Sequence, residues 1–264
     1  MMQAQSQSAA KQPSSWITNW VFIGRGMRHS LRDVDAMVMA IVLPVMLMLL
    51  FTYVFGGALD PSGNYVKYVV PGIILLCAGF GASGTAVKVA EDISNGVIER
   101  FRTMPIQSLG VITGHVAASL ARNLVATAIV IGVALLVGFR PAAGFGEWLG
   151  AAGVIVLFIL AITWLFAAIG LVAGSASAAS GYGFILLFLP YLSSAFVPTE
   201  SMPQWLQGFA SHQPITPAIE TIRGLLTGAP IGDNAWWAAG WCLLLIGGAF
   251  IWCRVVFHRR SGQR

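Results

Sequence analysis

Residues 148–199 read WLGAAGVIVLFILAITWLFAAIGLVAGSASAASGYGFILLFLPYLSSAFVPT, 52 positions without an Asp, Glu, Lys or Arg. A helix rising ~1.5 Å per residue crosses the ~30 Å hydrocarbon layer of a bilayer in ~20 residues. The stretch is too long for one crossing and long enough for two. The run Gly174-Ser-Ala-Ser-Ala-Ala-Ser-Gly181 supplies the turn between them, because clustered Gly and Ser punctuate helices. Working outward, further uncharged gaps lie at 36–59, 68–87, 123–139 and 234–253. Six spans follow, near 36–56, 67–88, 118–138, 149–173, 181–197 and 236–256. Barrel strands alternate apolar and polar residues over ~10 positions, whereas these segments are continuously apolar. The expected fold class is an all-α integral membrane protein with six transmembrane helices.

The composition agrees. Of 264 residues 57% are hydrophobic and 9% charged, against about a quarter charged in a soluble domain. A soluble enzyme, a disordered chain and a disulfide-rich secreted domain are excluded. Cys77, Cys242 and Cys253 all fall within spans and read as buried thiols. With the N-terminus inside, the inner segments hold eleven Lys and Arg and the outer ones only Lys67, Arg140 and Arg223, with Arg122 assigned to neither side. Positive charge is retained on the cytoplasmic side, so both termini are expected there, in a cytoplasmic membrane. The first 34 residues lack the apolar core of a cleavable signal peptide.

Between the spans, residues 1–13 read as disordered. Residues 14–34 read as an amphipathic interfacial helix, with Trp16, Trp20, Gly24, Met27 and Leu31 at helical spacing beside a basic face of Arg25, Arg28, His29 and Arg32. The transmembrane domain is expected over 35–257, with a basic tail at 258–264. The segment Glu91-Asp-Ile-Ser-Asn-Gly96-Val-Ile-Glu99-Arg-Phe-Arg-Thr-Met-Pro-Ile106 places Val97, Phe101 and Met104 on one helical face. Pro105 ends that helix. About two turns are too few for independent stability, so the segment calls for a partner surface: a soluble protein groove, or lipid headgroups. Residues 198–235 contain five prolines and apolar pieces too short to span. They read as a re-entrant or interfacial outer segment. A helix over 218–226 would carry Ile219, Ile222 and Leu226 on one face and pair Glu220 with Arg223. Trp148, Trp205, Trp236 and Trp237 mark the outer boundary.

Catalytic motifs are missing. Gly79-Phe-Gly-Ala-Ser-Gly84 matches a dinucleotide-binding pattern, but it lies inside a span with no strand before it, so the glycines read as helix-packing positions. There is no G-x-x-x-x-G-K-[ST], H-E-x-x-H, C-x-x-C or G-x-S-x-G, and the four histidines are scattered. No metal site, no bound cofactor and no enzymatic activity are expected of this chain. The spans carry almost no ionisable residue, Arg122 and His115 being placed near the start of the third. That argues against a proton-coupled carrier.

The layout resembles the membrane permease of type-2 ABC exporters, close to the daunorubicin-resistance group. Two motifs carry the resemblance: the 91–106 segment, and the run from Phe196-Val-Pro198 through Met202-Pro203-Gln-Trp205 to Pro214-Ile-Thr-Pro217 and Ile222-Arg223-Gly-Leu-Leu-Thr-Gly228. The resemblance implies that 91–106 is a coupling helix docked in a P-loop ATPase subunit, which binds ATP and Mg. Glu91, Asp92, Gly96, Glu99, Arg100, Phe101, Arg102, Met104 and Pro105 would make the coupling site. It also implies two ATPase copies and a second permease chain, identical or related. The translocation path or dimer interface would lie at the second and fifth spans, near Gly79, Phe80, Gly81, Ser83, Tyr191, Ser193, Ser194 and Phe196. Hydrophobic drugs, lipids or secondary metabolites are the implied cargo. A polysaccharide or lipid-linked glycan, and a non-transporting membrane scaffold, are the alternatives.

Glu99→Arg is expected to release the ATPase in a detergent pull-down while leaving the membrane fold intact. Normal ATPase recovery by that variant would contradict the coupling assignment.

Overall fold

The computed structural model describes residues 34–61, 63–96 and 109–261. The expectations for 1–13 and 14–33, for 97–106 with Val97, Glu99, Arg100, Phe101, Arg102, Met104 and Pro105, and for 262–264 lie outside the described residues.

Within them the chain is helical. Helix α1 (Val34–Leu49) contains Pro44 and continues through a π-helical stretch, Leu50–Phe55, into a single turn, Gly56–Leu59. Helices α2 (Tyr65–Ser94), α3 (Leu109–Val137) and α4 (Phe145–Val172) follow. Helix α5 (Ala176–Leu186) is short and passes into a 3₁₀ turn, Leu189–Leu192. Helices α6 (Gln204–His212) and α7 (Ile215–Thr227) precede the last long helix, α8 (Asn234–Ser261). Five of these elements are long and apolar enough to cross a membrane: 40–59, α2, 112–137, α4 and 234–256. They make the chain a multi-pass membrane protein.

The fifth expected span differs. Its helix begins at Ala176 rather than 181, because Ser175 caps it by accepting a 3.1 Å bond from the Ala178 N–H. The turn is therefore narrower than 174–181. The apolar helical run ends at Leu192, too short to be counted with the other five. Pro190 lies at the start of the 3₁₀ turn, in second place after Leu189, where its missing N–H costs no helical bond.

Helix α2 is the axis of the bundle. In its most apolar window 83% of residues are buried, against 22% for 40–59 and 17% for α8. The main core gathers Val69, Val70, Ile73, Ile74, Leu76 and Cys77 of α2 with Ala126 and Val130 of α3, Ile155 and Ile159 of α4, and Ile219 and Ile222 of α7. A second core at the Ser94 end of α2 joins Val89, Ile112, Trp164, Leu171 and Cys253. The outward faces of α1 and α8 stay apolar, with Val42, Met46, Leu243, Leu244 and Ile251 exposed. Lipid is the solvent that such a surface suits, and Trp205 and Trp236 stand exposed at the Tyr65 end.

Between membrane helices, where lipid tails are as apolar as leucine, close backbone approach replaces the hydrophobic effect as the driving contact. Gly72 shows how close. A Cβ there would sit 2.7 Å from both Cα and Cβ of Ala195, so only glycine lets α2 touch the segment after α5. Gly72→Val is expected to cost ~1–3 kcal/mol by overpacking and to lower the melting midpoint in detergent. Gly57→Val, which meets nothing within 4 Å, is the control that should hold. An unchanged midpoint for the Gly72 variant would contradict the contact.

Candidate functional site

Ser193, Ser194, Ala195 and Phe196 are neither helical nor exposed. Buried backbone without a helix must find its hydrogen bonds elsewhere. Here side chains supply them. The Arg223 Nη2 donates to Ser194 O at 2.7 Å and to Tyr68 O at 3.0 Å. Tyr65 Oη donates to Phe196 O at 2.6 Å. Ser194 N donates to Thr216 Oγ1 at 3.3 Å, and that hydroxyl donates onward to Ala210 O at 2.5 Å. Gln213 Nε2 donates to Leu189 O and Leu192 O at 3.2 and 2.8 Å. Ser193 Oγ donates to Pro190 O and accepts from Ala195 N.

Helix α7 delivers two of these groups, Arg223 and Thr216, and Gln213 lies just before it. It packs against α2, α4 and α8, with Ile219, Ile222 and Leu226 buried as one face. Pro217 lies in its first turn and Gly228, at φ +76°, closes it. At thirteen residues it extends only ~20 Å. Arg223 is the hub. Its guanidinium lies 3.8 Å from the Tyr68 ring centroid and pairs with Glu220 through Nη1. The expected Glu220–Arg223 pair is thus present, but as one edge of a larger clasp. Sequence reasoning missed Tyr65, Gln213 and Thr216. No local signal marked them: Tyr65 follows Asn64, Gln213 lies between His212 and Pro214, and their partners are distant in sequence.

The residues expected along the second and fifth spans separate into groups. Gly79 faces Leu187, whose Cδ2 would be 3.3 Å from an added Cβ, and Ser83 lies beside Gly183. These two bring α2 against α5. Gly81 faces the opposite way and receives the buried Asn123 side chain of α3. Phe80 is half-buried, and its carbonyl accepts from Ser83 Oγ at 2.8 Å. Tyr191 is partly exposed and stacks on Phe196 at 5.2 Å between centroids. Phe196 in turn meets Phe51 of the first span at 4.3 Å. Phe184 and Phe188, 5.1 Å apart, continue the aromatic row on the exposed face of α5. Ser193 and Ser194 are fully buried: Ser193 Oγ bonds the Pro190 carbonyl and the Ala195 N–H, while Ser194 is held through its own N–H and carbonyl.

At the Ser94 end, Glu91 is exposed and its carbonyl accepts from Ser94 Oγ. Gly96 turns with φ +67°. Asp92 does not point away from the bundle: its Oδ2 lies 2.7 Å from His115 Nε2 of α3. Arg122 corrects a sequence expectation. It is the fourteenth of the 29 residues of Leu109–Val137, not near the start of a span, and is 3% exposed with Nη2 donating to Gly81 O at 3.2 Å.

The profile of the ABC-2 type transporter family matches residues 18–227. The chain belongs to that family. The ABC-2 match takes in both the 91–106 segment and the clasp on 193–223. The daunorubicin resistance ABC transporter permease protein DrrB1 of Streptomyces coeruleorubidus is 32% identical over 210 residues, covering 79% of this chain and 73% of that protein. The probable doxorubicin resistance ABC transporter permease protein DrrC of Mycobacterium tuberculosis is 28% identical over 221 residues, covering 81% and 79%. ABC-2 membership implies an ABC ATPase as working partner.

Removing the hub should release the buried segment. Ser194→Cys, 2% exposed in the native chain, should resist a membrane-permeant maleimide. Adding Arg223→Met should leave the Ser194 carbonyl without its charged donor, a loss of ~1–3 kcal/mol, and make the cysteine reactive. Equal labelling in both backgrounds would contradict the clasp.

Proposed function

We propose that this chain is the transmembrane permease subunit of an ATP-driven exporter that moves hydrophobic drugs, lipids or secondary metabolites out of the cytoplasm or inner leaflet. The observation that carries the reading is the family match across 18–227, joined to relatives whose names specify drug-resistance permeases. Those names favour drug-like cargo over a glycan.

In this reading the Ser94 end of α2 is cytoplasmic and the Tyr65 end external, in a bacterial inner membrane with both termini inside. Lys88 and Arg254 sit towards the first end, Lys67 and Arg140 towards the second, as positive-inside retention requires. Six crossings complete the domain, the fifth formed by α5, the 3₁₀ turn after it and the non-helical 193–198. Helices α6 and α7 dip back into the outer leaflet without crossing. Irregular backbone is tolerated at such depth only where protein covers it, and the Arg223 clasp supports this placement. ATP and Mg reside on the partner, two copies of which dock on 91–106 of two permease chains. The exposed aromatic row of Phe184, Phe188 and Tyr191, with Tyr53 and Phe55 of the first span, faces the second permease and the path between them. Aromatic faces suit planar apolar cargo. Ser193, bonded to Pro190 O and Ala195 N, braces from behind the backbone that carries Tyr191 and Phe196.

The test is purification of the C-terminally tagged chain from native membranes, followed by reconstitution. A P-loop ATPase should co-purify, and the liposomes should move doxorubicin only with ATP. Recovery without an ATPase, or ATP-independent movement, would overturn the reading.

A further inference from the structure

Helices α2 and α3 are tied at three levels. Asp92 meets His115 at 2.7 Å, Thr85 Oγ1 donates to Ser119 Oγ at 2.8 Å, and Arg122 Nη2 donates to Gly81 O at 3.2 Å. On α2 these positions step by seven and four, and on α3 by four and three, so each set lies along one helical face. The order reverses between the helices, as an antiparallel pair requires. The ties extend over eleven residues of α2, or ~16 Å. Thr85, Ser119 and Arg122 are buried, in surroundings where each polar contact is stronger than in water. Asp92 and His115 are half-buried at the open end, with 32% and 25% of their side chains exposed.

The place of that last tie is what matters. Asp92 is in the final turn of α2 and His115 in the second turn of α3. Residues 97–108 leave the first helix and return to the second between them. A push on that segment could spread the two helix ends apart, or it could move both together. A bond between the two stems selects the second outcome.

We propose that Asp92 and His115 are positioning residues that close the base of the coupling hairpin, so that α2 and α3 move as one lever when the ATPase moves 97–108. The proposal rests on the coupling reading above and changes the role of Asp92 within it. Asp92 serves the neighbouring helix rather than the ATPase. The lever then carries displacement from Asp92 to Gly81, one residue from Phe80 and two from Gly79, which faces α5.

The experiment uses the whole permease–ATPase complex in liposomes that move doxorubicin, with Thr103→Cys, outside the named coupling residues, present as a cross-linking reporter to the ATPase. His115→Ala and Asp92→Ala should each lower doxorubicin moved per ATP by about fivefold or more, the lower end of measured coupling effects. Cross-linking should persist in both. The double variant should be no worse than either single one, since the two residues act through one bond. His115→Gln, whose amide can donate from the place of Nε2, should keep most of the native ratio. An unchanged ratio, additive losses, or a Gln variant as poor as Ala would overturn the proposal. Loss of the cross-link in the alanine variants alone would also overturn it, since that is what a purely structural role produces. Absence of the cross-link with the native pair present would instead overturn the coupling reading, and the lever with it.

Discussion

An apolar slab offers an unwound peptide no water to bond, and each unmet backbone group there costs several kcal/mol. The segment after α5 meets that constraint with Arg223. Placing an arginine in such surroundings costs ~2.5–3.5 kcal/mol on insertion scales. That is about the cost of one or two orphaned carbonyls, and Arg223 serves Tyr68 and Ser194 while pairing with Glu220 and stacking on Tyr68. The balance favours the buried cation. Tyr65, Thr216 and Gln213 meet further backbone groups: Phe196 O, Ser194 N and Leu192 O. The wedge of α7, the glycine at position 72 and the start of α2 all exist in the arrangement that this clasp needs.

The two ends of α2 are thereby given different characters. At Tyr65 the helix holds an irregular segment through side-chain donors that one substitution can withdraw. Towards Ser94 it is sewn to α3 along a single face. Between them, Gly79 and Ser83 turn to α5 while Gly81 turns to Asn123. A permease in the proposed sense needs a rigid route from the ATPase and a compliant element near the path, and this helix supports one of each.

The helices were legible because charge exclusion is a direct record of transfer into hydrocarbon, and 36–59, 68–87 and 234–253 carry that record plainly. Ile219, Ile222 and Leu226 were legible from periodicity. The winding of the fifth span was not legible, because hydropathy scores side chains and says nothing of the backbone. Phe188 through Val197 is apolar whether helical or not. Arg122 was misplaced for the converse reason: a charge was taken as a boundary, yet the Gly81 carbonyl of the neighbouring helix receives it. Asp92 was assigned outward because its partner, 23 residues away on another helix, has no local signature. The family resemblance was readable from two motifs because both lie where the chain leaves the membrane and composition is free to differ.

The most direct measurement is hydrogen exchange on the Ser194 and Ala195 amides of the intact protein in lipid nanodiscs. Ser194 N bonds to Thr216 and Ala195 N to Ser193, under complete side-chain cover. Protection comparable to that of the flanking helices is the predicted result. Exchange as fast as that of an exposed loop would contradict a held, unwound segment and the account built on it.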